Sequence, residues 1–86
     1  MKKIVIYTKS ICPYCVKAKT LLERKGCAYQ EINIEQDDAL RNEMLSKSSG
    51  RKTVPQIFIG DYHVGGCDDL YALEQDKKLD VLLNAN

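Results

Sequence analysis

Ile4-Val5-Ile6-Tyr7-Thr8-Lys9-Ser10-Ile11-Cys12-Pro13-Tyr14-Cys15 is the stretch that decides the fold. Its first four residues form a short, continuous, β-branched and aromatic run. That is the pattern of a central strand buried on both faces. Thr8–Ile11 reads as a loop. Proline at 13 suits a first helical turn, where its missing N–H costs nothing. From Pro13 onward Cys15, Ala18, Leu21 and Leu22 recur at helical spacing, with Lys17, Thr20, Glu23 and Arg24 facing away. Gly26 is placed to stop that helix. A buried strand therefore runs into a helix, and Cys12 and Cys15 sit at the junction.

Outward from this junction the chain alternates in kind. Cys27–Ile34 is a second strand candidate, with Ile32 and Ile34 alternating onto one face. Asn33–Asp38 is polar and opens a second helix carrying Leu40, Met44 and Leu45. Ser46–Thr53 is a polar loop. Gln56-Ile57-Phe58-Ile59 is a strand, Gly60-Asp61 a two-residue hairpin turn, and Tyr62-His63-Val64 the return strand. Gly65-Gly66 makes a tight corner before a helix that starts at Cys67-Asp68-Asp69. A last helical segment holds Leu79, Leu82 and Leu83. The order is β-α-β-α-β-β-α with one further helix. The first crossover implies right-handed parallel pairing, and the hairpin adds an antiparallel edge. The expected fold is α/β: a four-stranded mixed sheet flanked by helices on both faces, the thioredoxin-like arrangement.

The chain has 86 residues, which implies one domain, 1–86. With 44% hydrophobic residues and no Trp, its core must be mostly aliphatic. Thirteen Lys and Arg against 12 Asp and Glu leave a net charge of +1, without the basic excess that nucleic-acid binding requires. No stretch approaches the roughly 18 apolar residues of a membrane span. The apolar run after Met1-Lys2-Lys3 stops at Thr8-Lys9, short of the roughly 7–15 residues of a signal-peptide core. The expectation is a cytoplasmic monomer that engages neither membrane nor nucleic acid, in a compartment that keeps thiols reduced.

The four cysteines are Cys12, Cys15, Cys27 and Cys67. Two structural disulfides would suit a secreted chain rather than this one. A structural zinc site normally carries a second close pair, and Cys27 and Cys67 stand far apart, so no metal is expected. The remaining reading is redox chemistry at Cys12 and Cys15. A helix N-terminus favours an anion. Such a setting lowers a thiol pKa from about 8.5 to roughly 3.5–7.5. Cys12 is then the expected nucleophile toward a disulfide sulfur, aided by Lys9. Cys15, one turn into the helix, is expected to be buried and to resolve the mixed disulfide.

Two further clusters carry chemistry. Thr53-Val54-Pro55 precedes the third strand. Pro55 reads either as a strand-opening proline or as part of a cis Val54-Pro55 bond. The second reading would turn the Val54 backbone toward Cys12, where an incoming chain could pair with it. In Gly65-Gly66-Cys67-Asp68-Asp69 the helix start offers N–H donors for a carboxylate and the aspartates offer acceptors for an ammonium. A zwitterionic amino-acid head needs both, although plain helix capping by aspartate explains the pattern when taken alone. Tyr14 is expected to be exposed beside the cysteines. Lys9 and, less directly, Arg41 are candidates for a second carboxylate. His63 reads as an ordinary hairpin residue. Cys27 reads as core filling, and Cys67 as a packed residue or a third oxidisable thiol.

Tyr7-Thr8-Lys9 before Cys12-Pro13-Tyr14-Cys15, then Thr53-Val54-Pro55-Gln56-Ile57-Phe58-Ile59, then Gly65-Gly66-Cys67-Asp68-Asp69-Leu70 resemble a dithiol glutaredoxin of the small bacterial glutaredoxin 3 type. The resemblance spans the whole chain, with the three motifs in family order and at family spacing. It implies a thioredoxin fold with a cis Pro55. It implies reduction of protein disulfides and of glutathione mixed disulfides, with glutathione as co-substrate and disulfide-containing or glutathionylated proteins as partners. By motif position Cys12 is the nucleophile and Cys15 the resolving thiol. Glutathione contacts are implied at Lys9, Tyr14, Thr53, Val54, Pro55, Gly66, Cys67, Asp68 and Asp69.

Three rivals differ in specific residues. A thioredoxin would be expected to carry Gly-Pro between its cysteines and to lack the Gly-Gly-Cys-Asp cluster. A glutaredoxin that carries a [2Fe–2S] cluster typically shows Cys-Gly-Phe-Ser, and Pro13 stiffens the loop against that use. A non-enzymatic thiol-binding module would need an unreactive Cys12.

Overall fold

The computed structural model describes residues 2–84. Its order is β1 (Ile4–Thr8), α1 (Pro13–Arg24), β2 (Gln30–Asn33), α2 (Asp38–Lys47), β3 (Gln56–Ile59), β4 (Tyr62–Gly65), α3 (Cys67–Gln75) and α4 (Leu79–Asn84). The sheet runs β2-β1-β3-β4. β1 pairs parallel with β2 and antiparallel with β3, and β3 pairs antiparallel with β4. Helices cover both faces, and this is a thioredoxin-like fold.

Side-chain alternation divides the core into two layers. Ile4 and Ile6 of β1 and Ile57 and Ile59 of β3 point to one face. There they meet Ala18, Leu21 and Leu22 of α1, Leu70 of α3, and Leu79 and Leu83 of α4. Tyr7 and Phe58 point to the other face and pack with Met44 of α2 and Ile34. Full burial of each such aliphatic side chain contributes roughly 1.5–3 kcal/mol. The first layer is therefore the main stabilising one. The α2 layer is thinner, since Met44 is that helix's one buried residue.

α1 stops as its sequence suggests. Gly26 is left-handed at φ 73°. Its N–H donates to Glu23 O, and that of Cys27 donates to Leu22 O. This is a Schellman cap, and it corrects the second strand. The strand expected over Cys27–Ile34 occupies only Gln30–Asn33, because Cys27 is drawn into the helix cap and the core. β1 also offers only Val5–Thr8 as partners. The loop expected from Ser46 starts at Ser48 instead, since α2 continues through Lys47. Asp37 begins that helix, its carboxylate accepting from the Ala39 N–H at 2.9 Å.

Candidate active site

Three loops meet at one end of the sheet. The first leaves β1 and ends at Cys12. It is tied to the β2–α2 connection: the Ser10 N–H donates to Glu35 Oε1 at 2.7 Å, and Asn33 Nδ2 donates to Ser10 Oγ at 3.1 Å. Hydrogen bonding from the Ser10 backbone and then the Ser10 side chain, with Lys9 nearby, holds the Glu35 carboxyl below its ordinary pKa. Cys12 is the N-cap of α1. Its Sγ accepts the Cys15 N–H at 3.1 Å, and the Val16 N–H donates to the Cys12 carbonyl.

Cys12 and Cys15 are joined as a disulfide, with Cα atoms 5.1 Å apart. Cys12 is 8% exposed and Cys15 1%. The partner that a substrate thiolate can reach is thus Cys12, and Cys15 lies beneath it. Attack on Cys12 expels Cys15 as a thiolate at the helix start, where backbone N–H groups favour negative charge.

The second loop is Ser48–Pro55. Ser48 is buried and locks it, donating to the Arg51 carbonyl and accepting the Arg51 N–H. The Val54-Pro55 bond is cis. The Val54 carbonyl oxygen lies 3.9 Å from Cys12 Sγ. The expected neighbourhood of Val54 and Cys12 is therefore present.

The third is the β4–α3 corner. Gly65 has φ 110°, and a Cβ there would overlap the Asp69 carboxylate and approach Arg51 Nη1 to 2.8 Å. Glycine is required because the corner closes onto a side chain. Asp69 Oδ2 accepts the Gly66 N–H at 2.8 Å, which is half of a capping box. It also faces Arg51 Nη1 at 3.5 Å. The two aspartates thus divide. Asp69 caps α3 and links it to the second loop, whereas Asp68 is exposed on the cleft wall.

Tyr14, Arg51, Thr53, Val54, Pro55, Gly66, Cys67, Asp68 and Asp69 together line an open cleft of about 500 Å³. Tyr14 is 60% exposed. Cys67 is buried, and that burial pushes its thiol pKa up, with Lys17 opposing and Asp68 assisting. The cleft offers backbone donors at the α3 start, a backbone edge at Val54, the Asp68 carboxylate and the Arg51 guanidinium. This set can hold a small molecule that carries both charges while its sulfur reaches Cys12.

Not every expected residue lines the cleft. Lys9 is exposed on the first loop, and Arg41 is exposed on α2; neither is a lining residue. Cys27 is buried in the main core, as expected, with its thiol pKa raised by burial. The sequence reading missed Arg51, whose only signal was a basic residue in a polar loop. It also missed the side chains of Gln56 and His63 behind Thr53. No group of three or more metal-ligating side chains occurs among the described residues. No helix among them is long and apolar enough to cross a membrane.

A glutaredoxin family model matches residues 4–64. Glutaredoxin 3 of Escherichia coli strain K12 is 57% identical over 83 residues, covering 96% of this chain and 99% of that protein. The solution structure of glutaredoxin from Brucella melitensis superposes with a TM-score of 0.84 at 58% identity, covering 96% of this chain and 89% of that one. The crystal structure of a buckwheat glutaredoxin–glutathione complex superposes with a TM-score of 0.85 at 36% identity, covering 95% of this chain and 76% of that one.

Proposed function

The chain belongs to the glutaredoxin family of thiol–disulfide oxidoreductases, and we propose that it works with glutathione, reducing protein disulfides and removing glutathione from mixed disulfides. The observation that carries this reading is the cleft, which joins the Val54 edge, the α3 start and Asp68 beside Cys12. The solved buckwheat relative holds glutathione, which supports the same ligand here.

In the first step Cys12 thiolate attacks the protein-side glutathione disulfide at the glutathione sulfur. A Cys12–glutathione disulfide forms, and the protein thiolate leaves. A second glutathione thiolate then attacks the glutathione sulfur of that adduct, releases glutathione disulfide and returns Cys12. With a protein disulfide, Cys12 forms a mixed disulfide with the protein, and Cys15 resolves it to the Cys12–Cys15 disulfide. Two glutathione thiols then reduce that disulfide.

We assign each portion of glutathione to a group of the cleft. The N–H groups of Cys67 and Asp68 lie in the first turn of α3, where a helix supplies no carbonyl partner of its own, and they receive the γ-glutamyl carboxylate. Asp68 receives its ammonium. The Thr53–Val54 backbone pairs with the cysteinyl segment, flanked by Pro55, Gly66 and Cys67, and Tyr14 packs over it. Arg51, a cation on the cleft lining, receives the glycine carboxylate, and Lys9 of the first loop is assigned to the same charge by motif position. Asp69 acts by holding the corner. We place this work in the cytoplasm, in a monomer, because the cycle needs a reduced glutathione pool and one chain supplies every group named.

Exposure of reduced Cys15→Ser to glutathione disulfide tests the site. A single glutathione on Cys12, located by peptide mass spectrometry, is the expected product. Modification of Cys67 with Cys12 unmodified would contradict it.

A further inference from the structure

Gln56, His63 and Phe58 form a chain of contacts behind the cleft that ends on its wall. Gln56 opens β3 with its side chain fully buried. Its Nε2 donates to the Thr53 carbonyl at 3.0 Å and to Thr53 Oγ1 at 3.2 Å. A backbone carbonyl only accepts, so the first bond fixes which way the amide faces. Gln56 Oε1 must then point away from Thr53, and there it meets His63 Nε2 at 2.7 Å. An amide oxygen cannot donate, so His63 carries a proton on Nε2.

The imidazole is itself held in place. Phe58 stacks against it with centroids 4.7 Å apart and 20° between planes. Tyr7 braces Phe58 from the side in a T-shaped contact at 5.8 Å. Burial, and then Arg51, lower the His63 pKa, with Asp69 opposing. The neutral ring with hydrogen on Nε2 is therefore the form present at neutral pH.

Thr53 receives the Gln56 amide nitrogen at both its carbonyl and its hydroxyl oxygen. The hydroxyl oxygen accepts from that amide, so the hydroxyl's own hydrogen is free to point into the cleft that Thr53 lines. A hydroxyl that accepts one hydrogen bond donates a stronger one. We propose that Gln56 and His63 are positioning residues for glutathione: they lock the Thr53 carbonyl and hydroxyl, and so present the Thr53–Val54 segment to the ligand in one arrangement. This deepens the glutathione reading and rests on it. Neither residue lines the cleft; both act through Thr53.

The test combines kinetics with one measurement on the unmodified protein. Turnover of a small glutathione mixed disulfide is measured for wild type, Gln56→Met, Thr53→Val, the Gln56→Met/Thr53→Val pair, His63→Leu and His63→Gln. In Gln56→Met the KM for glutathione rises roughly 3- to 10-fold, the scale of a neutral hydrogen bond, with kcat within about twofold. Thr53→Val adds less in the Gln56→Met background than in wild type. His63→Gln, which keeps an N–H donor, recovers most of what His63→Leu loses. Nitrogen-15 NMR of wild type needs no variant to fold, and it shows His63 protonated on Nε2 alone at neutral pH. An Nδ1–H tautomer, an unchanged KM in folded Gln56→Met, or a loss confined to kcat would overturn the positioning role. Wild type that fails to turn over with glutathione would overturn the reading of the cleft, and this role with it.

Discussion

The backbone N–H of Cys15 donates to the sulfur of Cys12 across 3.1 Å, so the residue at the cleft is also the N-cap of α1. Once the disulfide opens, the same N–H faces a thiolate, and a charge-assisted bond is roughly twice as strong as a neutral one. The helix start should thus select which of the four cysteines reacts. In the reduced protein at pH 7, iodoacetamide should modify Cys12 well before Cys27 or Cys67, whose thiol pKa values are raised by burial. Peptide mapping after a short pulse reads the order. Modification of Cys67 at the rate of Cys12 would remove the special role of the α1 start.

The two aspartates at the α3 start should separate cleanly by mutation. Asp69 caps the Gly66 N–H and faces Arg51. That pair is half-exposed and contributes little by itself. Asp69→Ala should therefore lower unfolding stability by roughly 0.5–1.5 kcal/mol through the lost cap. Asp68→Ala should leave stability within about 0.5 kcal/mol and weaken glutathione recognition by roughly 1–3 kcal/mol. Urea unfolding and glutathione KM for both variants check this. Equal effects on both quantities would show that the carboxylates are interchangeable.

Met44 should be the weight-bearing residue of α2. It is fully buried against Tyr7 and Phe58, whereas Leu40 and Leu45 are only partly buried. Met44→Ala should cost about 2–5 kcal/mol, and Leu40→Ala clearly less. Denaturant midpoints decide it. Equal losses would mean that the helical stripe, rather than one anchor, holds α2.

That anchor marks a limit of what the sequence reveals. Leu40, Met44 and Leu45 share a helical periodicity, and periodicity does not tell which of them meets the sheet. The junction at Cys12 was legible because strand, proline and cysteine signals are all local. The hairpin at Gly60-Asp61 was legible for the same reason, whereas the residues around Pro55 left two readings open and only the family resemblance implied the cis bond. The pairing of Arg51 with Asp69 was not legible, because the two lie 18 residues apart and meet only after the corner forms; Asp69 by itself was read as a site residue. Gln56 and His63 read as ordinary strand residues, since alternation alone does not show that a buried amide serves Thr53. The start of β2 was misplaced because Cys27 serves the helix before it.

Glu31 should shape acid stability. Its carboxylate accepts from Thr8 Oγ1 at 2.7 Å and pairs with Lys19 at 3.1 Å. The Thr8 hydrogen bond first, and then Lys19, hold its pKa below the ordinary value of 4.5, against desolvation. A carboxylate with a depressed folded pKa binds fewer protons folded than unfolded. Its contribution is therefore full above about pH 4.5 and is lost as pH falls through the folded value. The Tm difference between wild type and Glu31→Gln should be constant from pH 8 to pH 6 and shrink toward pH 3. A difference that grows on acidification would reverse the sign.

Cys12 alone should carry the exchange with glutathione, while Cys15 serves protein disulfides. The most direct test is turnover of a small glutathione mixed disulfide with glutathione as the only reductant, in wild type, Cys12→Ser and Cys15→Ser. The expected result is turnover in wild type and Cys15→Ser, none in Cys12→Ser, and loss of protein-disulfide reduction in Cys15→Ser. Turnover retained by Cys12→Ser, or no turnover by wild type, would contradict it.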